Sequence, residues 1–587
     1  MKFDTFYATV NDWGYYQKIK FFIICLANMV PPLIFYTWSF TAATPDFRCS
    51  LPLESDAYNS QMNHLYDTTY KPTIDDCATH QKLLSLKECQ RCFIRIATHN
   101  TTSISKLHKC QDYVFDRSIY KKTLVEEWTM VCDRVLYRTA VQVAYFIGVM
   151  VGAVFFGSMA DKFGRRPIMS ICFVILAIVS FISTFCPQDV FGTGYSHLFF
   201  LIARFLLACS TRGISESGFV LSSELVSPRK RVMAGAVMTY FYAFGQLWLV
   251  LFAYFIRTWR MLLLTTSFLM LPYCLFYLFL PESPRWLISK GRFSEAEKVL
   301  RTIAIENKQK FSHEAYEQFK ATQNRDRHGT VPHAGISSLF RFKITAFITL
   351  NLFFQWFAQN IVYYGVSQST GSWQVDPYLS FCISAAVELP AFMVIQLLLD
   401  RVGRKIPYCS FAASFGIIAM LVLPVQTYMG AYKDAQRIIV FIINILLKFC
   451  GSLTFLIIYI LTTELLPTNT RTTGMGYSSM IGRLGAIMGT FCNDYLTRIW
   501  SNFPIVLYGV ISLIAAGLAI TFPETLNRPL PQTSEEVHRM GLAFGLLSDN
   551  KSKNKYDDDD DEPAAQILTI NEDNEKQKSV ENINGKP

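Results

Sequence analysis

Arg483 sits in the run 480–489 among glycine, leucine, isoleucine and methionine, surroundings that belong inside a membrane. A guanidinium costs roughly 2.5–3.5 kcal/mol at mid-bilayer on insertion scales, so it must face a protein interior or a watery cavity. In a narrow, partly dry cavity it can grip a carboxylate through two parallel hydrogen bonds. The competing use is structural, as the partner of an internal acid such as Glu388 or Glu216. Glu388, in the run 387–391, has chemistry of its own. It can hold the ammonium of a zwitterion or cation, or take up a proton or a sodium ion. Aromatic residues at 240–242, 356 and 363–364 could supply ring faces, which attract a quaternary ammonium within about 6 Å of the centroid.

The elements that must position these groups are membrane helices. The chain of 587 residues is 51% hydrophobic and only 17% charged. A span needs about 20 mostly apolar residues, and the pattern predicts twelve, at 18–42, 139–159, 168–186, 197–220, 232–255, 260–280, 344–366, 377–399, 406–428, 437–462, 473–496 and 503–522. The first is too long for a signal-peptide core and lacks a small-residue cleavage site, so it is read as retained. The net charge of +10 does not point to nucleic acid, because the basic residues cluster in short loops of one side, at Lys162, Arg165 and Arg166, at Arg229, Lys230 and Arg231, and at Arg401, Arg404 and Lys405. By the positive-inside rule these loops and both termini are cytoplasmic.

That topology puts the polar segment between the first two spans outside the cell. It holds six of the 15 cysteines, Cys49, Cys77, Cys89, Cys92, Cys110 and Cys132. Three disulfides are expected, with the pairing left open among 15 connectivities. Asn100 begins the loop's glycosylation sequon, on the oxidising side. The other nine cysteines lie in or near the spans and are expected to serve as small apolar residues.

The spans form two groups of six that repeat each other. The motif beginning at Asp161 returns at Asp400, that at Glu224 returns at Glu464, and that around Glu282 returns around Glu524, all at a near-constant offset. Parallel six-helix halves around a central site describe the major facilitator architecture. In the repeated hairpins, Gly164 and Gly403 allow the reversal. Asp161 and Asp400 can reach a helix N-terminus or an arginine of the equivalent loop. A latch on one access state is therefore expected from Asp161, Gly164, Arg165, Arg166, Glu224, Arg231, Glu282 and Arg285, and in the second half from Asp400, Gly403, Arg404, Glu464 and Arg471. No nucleotide-binding loop and no metal-site spacing is present, and no nucleophile and base pair stands out. The chain is read as a non-enzyme without cofactor or metal, driven by a gradient of its substrate, sodium or protons.

The segments 157–167, 281–300, 387–391, 464–476 and 126–133, with the cysteine-rich loop after 45–52, resemble the organic cation, organic anion and carnitine transporter family of the major facilitators. The resemblance covers about residues 8–533. It implies that the eleventh span carries a charge whose sign tracks the substrate, an aspartate in the vertebrate cation carriers and an arginine in the anion and carnitine carriers. Here that position is Arg483. Lys448 matches a basic position of the tenth span, either a second substrate cation or a partner for an acid. Arg212 matches one of the fourth, where Glu216 four residues on is its expected partner. Tyr363 and Tyr240 match cavity-lining positions, and the other rings are expected to be core. Phe392 stands where anion carriers often have lysine, and with Glu388 this favours a zwitterion.

These readings give an all-α membrane protein organised as a cytoplasmic N-terminus (1–17), a first span (18–42), a disulfide-rich extracellular loop (43–138), spans two to six (139–280), a cytoplasmic central loop (281–343), spans seven to twelve (344–522) and a disordered acidic cytoplasmic tail (523–587). The expected function is plasma-membrane transport of small organic ions by alternating access, of carnitine-like zwitterions or organic anions, with organic cations as the alternative. A non-transporting surface receptor is the alternative of another class. The expected partners are the organic ion and membrane lipid, not nucleic acid, and self-association through the extracellular loop is left open. Endoglycosidase treatment is expected to lower the apparent mass of the expressed protein, and Asn100→Gln to abolish that shift on a gel; an unshifted wild type would show an unused sequon.

Overall fold

The computed structural model describes residue 7 and residues 13–540, less 52–53, 55–59, 74–75, 78–85, 97–105, 187–191, 227–230, 327–335, 374, 430–431, 468–469, 527–530 and 532–533. Asn100 and the acidic tail from 541 lie outside the described residues, as does the side chain of Arg231.

Twelve membrane-length helical segments follow one another. In the first half they are α1 (Tyr15–Thr41), α2 (Val135–Phe163), α3 (Arg165–Thr184), α4 (Gly192–Leu225), α5 (Arg231–Phe255) and α6 (Trp259–Phe279). In the second they are α7 (Lys343–Gln368), α8 (Pro377–Val402), α9 (Lys405–Tyr428), α10 (Lys433–Leu465), α11 (Arg471–Asp494) and α12 (Phe503–Ala519). Among the described residues nine of these are long and apolar enough to cross a membrane by composition alone, and α12 is a shorter apolar helix. The two remaining helices, α7 and α11, are the polar ones. On α7, Asn351, Gln355, Gln359 and Asn360 are buried and bonded within their own half, for example Gln355 Nε2 to the carbonyl of Ala515 at 2.9 Å. A polar side chain so satisfied costs little inside a bundle, although it lowers the hydropathy of the helix.

Helix α1 is interrupted after Ala27, and the chain resumes helix at Val30. Pro31 and Pro32 cause the break, since they cannot donate to the preceding turn. Asn28 ties the interruption to α5 by donating to the carbonyl of Met238 at 2.8 Å.

The segment between α1 and α2 makes a small domain on one face of the bundle, called the outer face here. Strand β1 (Phe47–Cys49) pairs antiparallel with β4 (Tyr113–Phe115), and β2 (Phe93–Ile96) with β3 (Lys106–Lys109). The disulfides are Cys49–Cys110, Cys77–Cys89 and Cys92–Cys132. Glu127 fixes the domain to α6 by accepting from Trp259 Nε1 at 3.0 Å and from Arg260. Burial pushes the Glu127 carboxyl up, but these donors outweigh it and hold it below the usual carboxylate range.

On the opposite, inner face the two halves repeat a hairpin. Gly164 (φ 111°, ψ 156°) separates α2 from α3, and Gly403 (φ 95°, ψ −172°) ends α8 one residue before Arg404 and α9. Both lie in a region that only glycine occupies freely. The carboxylate of Glu282 accepts from the backbone N–H of Arg165 and of Arg166, each at 3.2 Å. Glu524 accepts equivalently from Arg404 at 2.9 Å and Lys405 at 3.1 Å. An acid thus caps the positive end of α3 and of α9. The helix-capping role expected for Asp161 belongs to Glu282, because the reversal at Gly164 turns the α3 terminus toward the chain leaving α6. A Cβ on Gly164 would lie 2.3 Å from Glu282 Oε2, and one on Gly403 would lie 2.8 Å from the Glu524 carboxyl. Gly164→Ala and Gly403→Ala are each expected to destabilise the protein by about 1–3 kcal/mol, read as a lower melting temperature in detergent. Gly371→Ala, where a Cβ meets nothing within 4 Å, is the control expected to be silent.

Candidate functional site

The close approach of α11 to α7 places Arg483. A Cβ at Gly485 would lie 2.2 Å from the carbonyl oxygen of Phe357, so only glycine lets the two backbones meet there. At that separation Arg483, 6% exposed, reaches Tyr364. Its Nη1 donates to the Tyr364 hydroxyl at 2.7 Å, and the guanidinium lies 5.6 Å from the centroid of that ring. Among the described residues no carboxylate lies within ion-pair distance of Arg483.

The acids named as its alternative partners are engaged elsewhere. Glu216 accepts from Arg212 Nε at 2.8 Å, one turn away on α4. Glu388 forms an ion pair with Lys448 at 2.6 Å, and the two side chains are 0% and 1% exposed. Breaking such a buried pair from one side costs about 3–5 kcal/mol, because a charge is left stranded. The Glu388 carboxylate also accepts from the Tyr363 hydroxyl at 2.7 Å and from Gln246 Nε2 at 2.8 Å. Lys448 donates a second bond to Ser367 Oγ at 2.6 Å and lies 4.1 Å from the Tyr363 ring centroid. Helix periodicity explains the convergence. Tyr363, Tyr364 and Ser367 fall on adjoining faces of α7, toward α8 and α10 on one side and α11 on the other.

Tyr363 stacks on Phe455 of α10 with centroids 4.4 Å apart. Tyr240 lies apart from this group, edge-on to Phe392 at 6.1 Å. Two residues later on α5, Tyr242 shares the electrostatic surroundings of Glu388, Tyr36 and Tyr364. Gln246, one turn beyond Tyr242, supplies the bond to Glu388. Sequence reasoning passed over Gln246, Tyr242 and Tyr364 as site residues. The signal for Gln246 is a lone amide in a run of apolar and aromatic residues, which inside a membrane needs a partner. Arg204 of α4 is a further buried cation, 2% exposed, held between the rings of Trp38 and Tyr145 at 5.1 Å each.

The two halves meet chiefly on the outer side of this centre. Phe35 and Phe146 pack on Tyr364 at 5.4 and 5.3 Å, Tyr36 on Phe381 at 5.3 Å, and Phe40 stacks on Tyr378 at 5.6 Å. Asp494, at the outer end of α11, accepts from Arg138 at 3.0 Å and from Thr139 at 2.9 Å, both on α2. Arg498 pairs with Glu88 of the outer domain, and Tyr378 donates to the Ile119 carbonyl at 3.5 Å. Burial raises the Glu88 carboxyl above its ordinary value, with Arg498 pulling the other way. Between described residues of the two halves, every hydrogen bond and ion pair lies at the level of Glu388 or outside it. Among the described residues the molecule is therefore tied across the halves at its outer face.

Of the residues expected to latch the inner face, Arg165 and Arg404 bond within their own halves. Arg165 bridges Asp161 at 3.1 Å and Glu224 at 3.3 Å. Arg404 pairs with Glu464 at 3.1 Å, whereas Asp400 is exposed. Arg471 lies at the inner end of α11, and one of its guanidinium nitrogens donates weakly to the Leu466 carbonyl at 3.4 Å. Arg285 is the second residue of the short helix Pro284–Ser289, which follows Glu282 in the chain.

The family model described as "Sugar (and other) transporter" matches residues 68–537. The chain is 30% identical over 548 residues to the "Organic cation transporter protein" of Drosophila melanogaster, covering 92% of this chain and 95% of that one. It is 29% identical over 553 residues to "Solute carrier family 22 member 16" of Xenopus laevis, with 92% and 94% coverage. To "Solute carrier family 22 member 7" of Mus musculus it is 27% identical over 558 residues, with 92% and 98% coverage. Among solved structures, the inward open xylose transporter XylE of E. coli superposes with a TM-score of 0.57, at 16% identity, over 89% of this chain and 99% of that one. That likeness is of fold.

Asp494→Asn is expected to loosen the outer closure. A membrane-impermeant thiol reagent applied to the disulfide-bearing face should label Phe381→Cys several-fold faster in that background than with Asp494 intact; equal rates would show that the aromatic contacts alone keep the face shut.

Proposed function

Because the chain belongs to the sugar (and other) transporter family of the major facilitators, and is a secondary transporter of the group that holds the solute carrier 22 proteins, we propose that it carries small organic ions bearing a carboxylate. Zwitterions of the carnitine type and organic anions are its substrates, moved by alternating access across the plasma membrane with the disulfide domain outside and both termini in the cytoplasm. The observation that carries this reading is the state of Arg483. It is a buried cation whose polar partner is a neutral phenol, while the neighbouring acids already serve Lys448 and Arg212. A substrate carboxylate would supply the missing countercharge, and bidentate binding in a low-dielectric site would fix its orientation. The rings of Tyr36, Tyr242, Tyr363, Tyr364 and Phe455 would then receive the rest of the molecule, a quaternary ammonium or an aromatic body.

Access would alternate by rocking of the halves about this centre. The closed outer face described above corresponds to a site facing the cytoplasm. Outward opening would part the aromatic contacts and the Asp494 ties, and the inner hairpins would close in their place. Driving force would come from the substrate's own gradient, or from sodium or protons.

A second reading is organic cation transport. It is favoured by two relatives from Drosophila melanogaster, named "Organic cation transporter protein" and "Organic cation transporter-like protein", and by the presence of Glu388 at the centre. Uptake in a null cell separates the two. Labelled carnitine, para-aminohippurate and tetraethylammonium are offered to wild type and Arg483→Asp, with and without sodium. Wild type is expected to accumulate carnitine or the anion, and Arg483→Asp to lose at least about tenfold of that uptake at equal surface amount, a loss of roughly 1.4 kcal/mol or more. If wild type accumulates only tetraethylammonium and the substitution changes little, the cation reading replaces this one. Surface protein that binds these probes without accumulating them would instead mark a receptor.

A further inference from the structure

We propose that Lys448 determines the charge class of the substrate by neutralising Glu388, so that the centre of the C-terminal half selects on the sum of Arg483, Lys448 and Glu388. This rests on the reading of Arg483 as the carboxylate anchor. In the structure Lys448 and Glu388 form a closed pair, 2.6 Å apart and out of reach of solvent. Arg483 therefore acts with its full charge, and the centre carries one net positive charge. Without Lys448 the Glu388 carboxylate would keep two neutral donors, the Tyr363 hydroxyl and the Gln246 amide. It would be an unmatched anion among aromatic rings, since Tyr363 lies beside it and Tyr36 and Tyr242 share its surroundings. That combination is the chemistry of an organic cation site. The same residues thus carry one net positive charge with Lys448 present and none without it, which shifts the preference from anions toward cations with no change of pocket shape required.

The geometry makes Lys448 suited to this control. Its ammonium is held by Ser367 Oγ at 2.6 Å as well as by Glu388, so it is fixed against α7 and is not free to follow a substrate. Arg483 is on the other side of the Tyr363 and Tyr364 pair, whose rings are 5.2 Å apart. The two cations therefore occupy separate places and address the substrate by different routes. Arg483 does so by contact, and Lys448 does so by cancelling a charge.

The test is the ratio of tetraethylammonium to para-aminohippurate uptake, normalised to surface protein, in wild type, Lys448→Gln, Glu388→Gln and the double variant. Lys448→Gln is expected to raise the ratio by at least about tenfold, and Glu388→Gln to lower it. The double variant restores the charge sum and should return the ratio to that of wild type. A role in packing alone would reduce both uptakes together, leaving the ratio unmoved, and that result would overturn the proposal. So would a double variant that reaches the surface yet keeps the ratio of either single variant. If the single variants do not reach the surface, the exchange Lys448→Glu with Glu388→Lys retains the pair and the sum. Its ratio should then match wild type within about threefold, and a larger departure refutes control by the sum. A wild type that takes only tetraethylammonium sinks the Arg483 reading, whereas a wild type that takes the anion with an unmoved Lys448→Gln ratio sinks this proposal alone.

Discussion

A charge inside a membrane protein must find company, and this requirement organises the centre of the fold. The charged side chains described in the spans meet it in different ways. Glu388 and Lys448 neutralise each other behind complete burial, and Arg212 and Glu216 do so one turn apart with partial exposure. Arg204 is boxed by two rings. Arg483 has a phenol and a ring face. The first two solutions spend the acids of the region, and for that reason the fourth leaves a cation that no carboxylate answers among the described residues. The helices that carry this arrangement, α7 and α11, are the more polar of the membrane-length helices, so the cost of insertion is concentrated where Arg483, Tyr363 and Tyr364 gather.

The duplicated hairpins show a different economy. Glu282 and Glu524 each cap a helix by accepting from backbone N–H groups, and each sits against a glycine whose conformation other residues resist. The capping acid comes from the chain leaving α6 or α12, so the last span of each half is stitched to its third. Each half is thereby cross-linked between its third and its last span. Rigid halves are what a rocking mechanism requires, because the aromatic contacts between them can then part together.

The sequence made the broad plan legible, because span length, loop charge and internal repetition are local or periodic properties. Hydropathy and the repeats located the twelve helices, and the motifs carried the family resemblance. The centre was legible residue by residue only in part. That Arg483, Lys448, Glu388 and Tyr363 lie near one another depends on four helices meeting, and which acid pairs with which base is decided by distances that spacing along the chain does not encode. Arg212 and Glu216 were the exception, since four residues along a helix is itself a distance. Tyr240 against Tyr242 shows the limit from the other side. Two residues on a helix turn a side chain by about 200°, so a choice between neighbouring tyrosines hangs on a rotation that composition leaves open. The disulfide pairing was hidden for the same reason, and so was the capping by Glu282, whose partners are more than a hundred residues earlier in the chain.

Helix α2 joins two of these features. Its outer end follows directly on Cys132, which is bonded to Cys92 of the disulfide domain, and its inner end carries Asp161 beside Arg165. With 29 residues it is about 43 Å long, a stiff rod with a covalent handle on one side of the bilayer and the latch on the other. It also bears Arg138 and Thr139, the residues that clasp Asp494. A rotation imposed on the outer domain is therefore carried along one helix to the far side of the membrane, past Phe146, which packs on Tyr364. An antibody that immobilised that domain would thereby brake a helix that reaches the opposite face of the membrane.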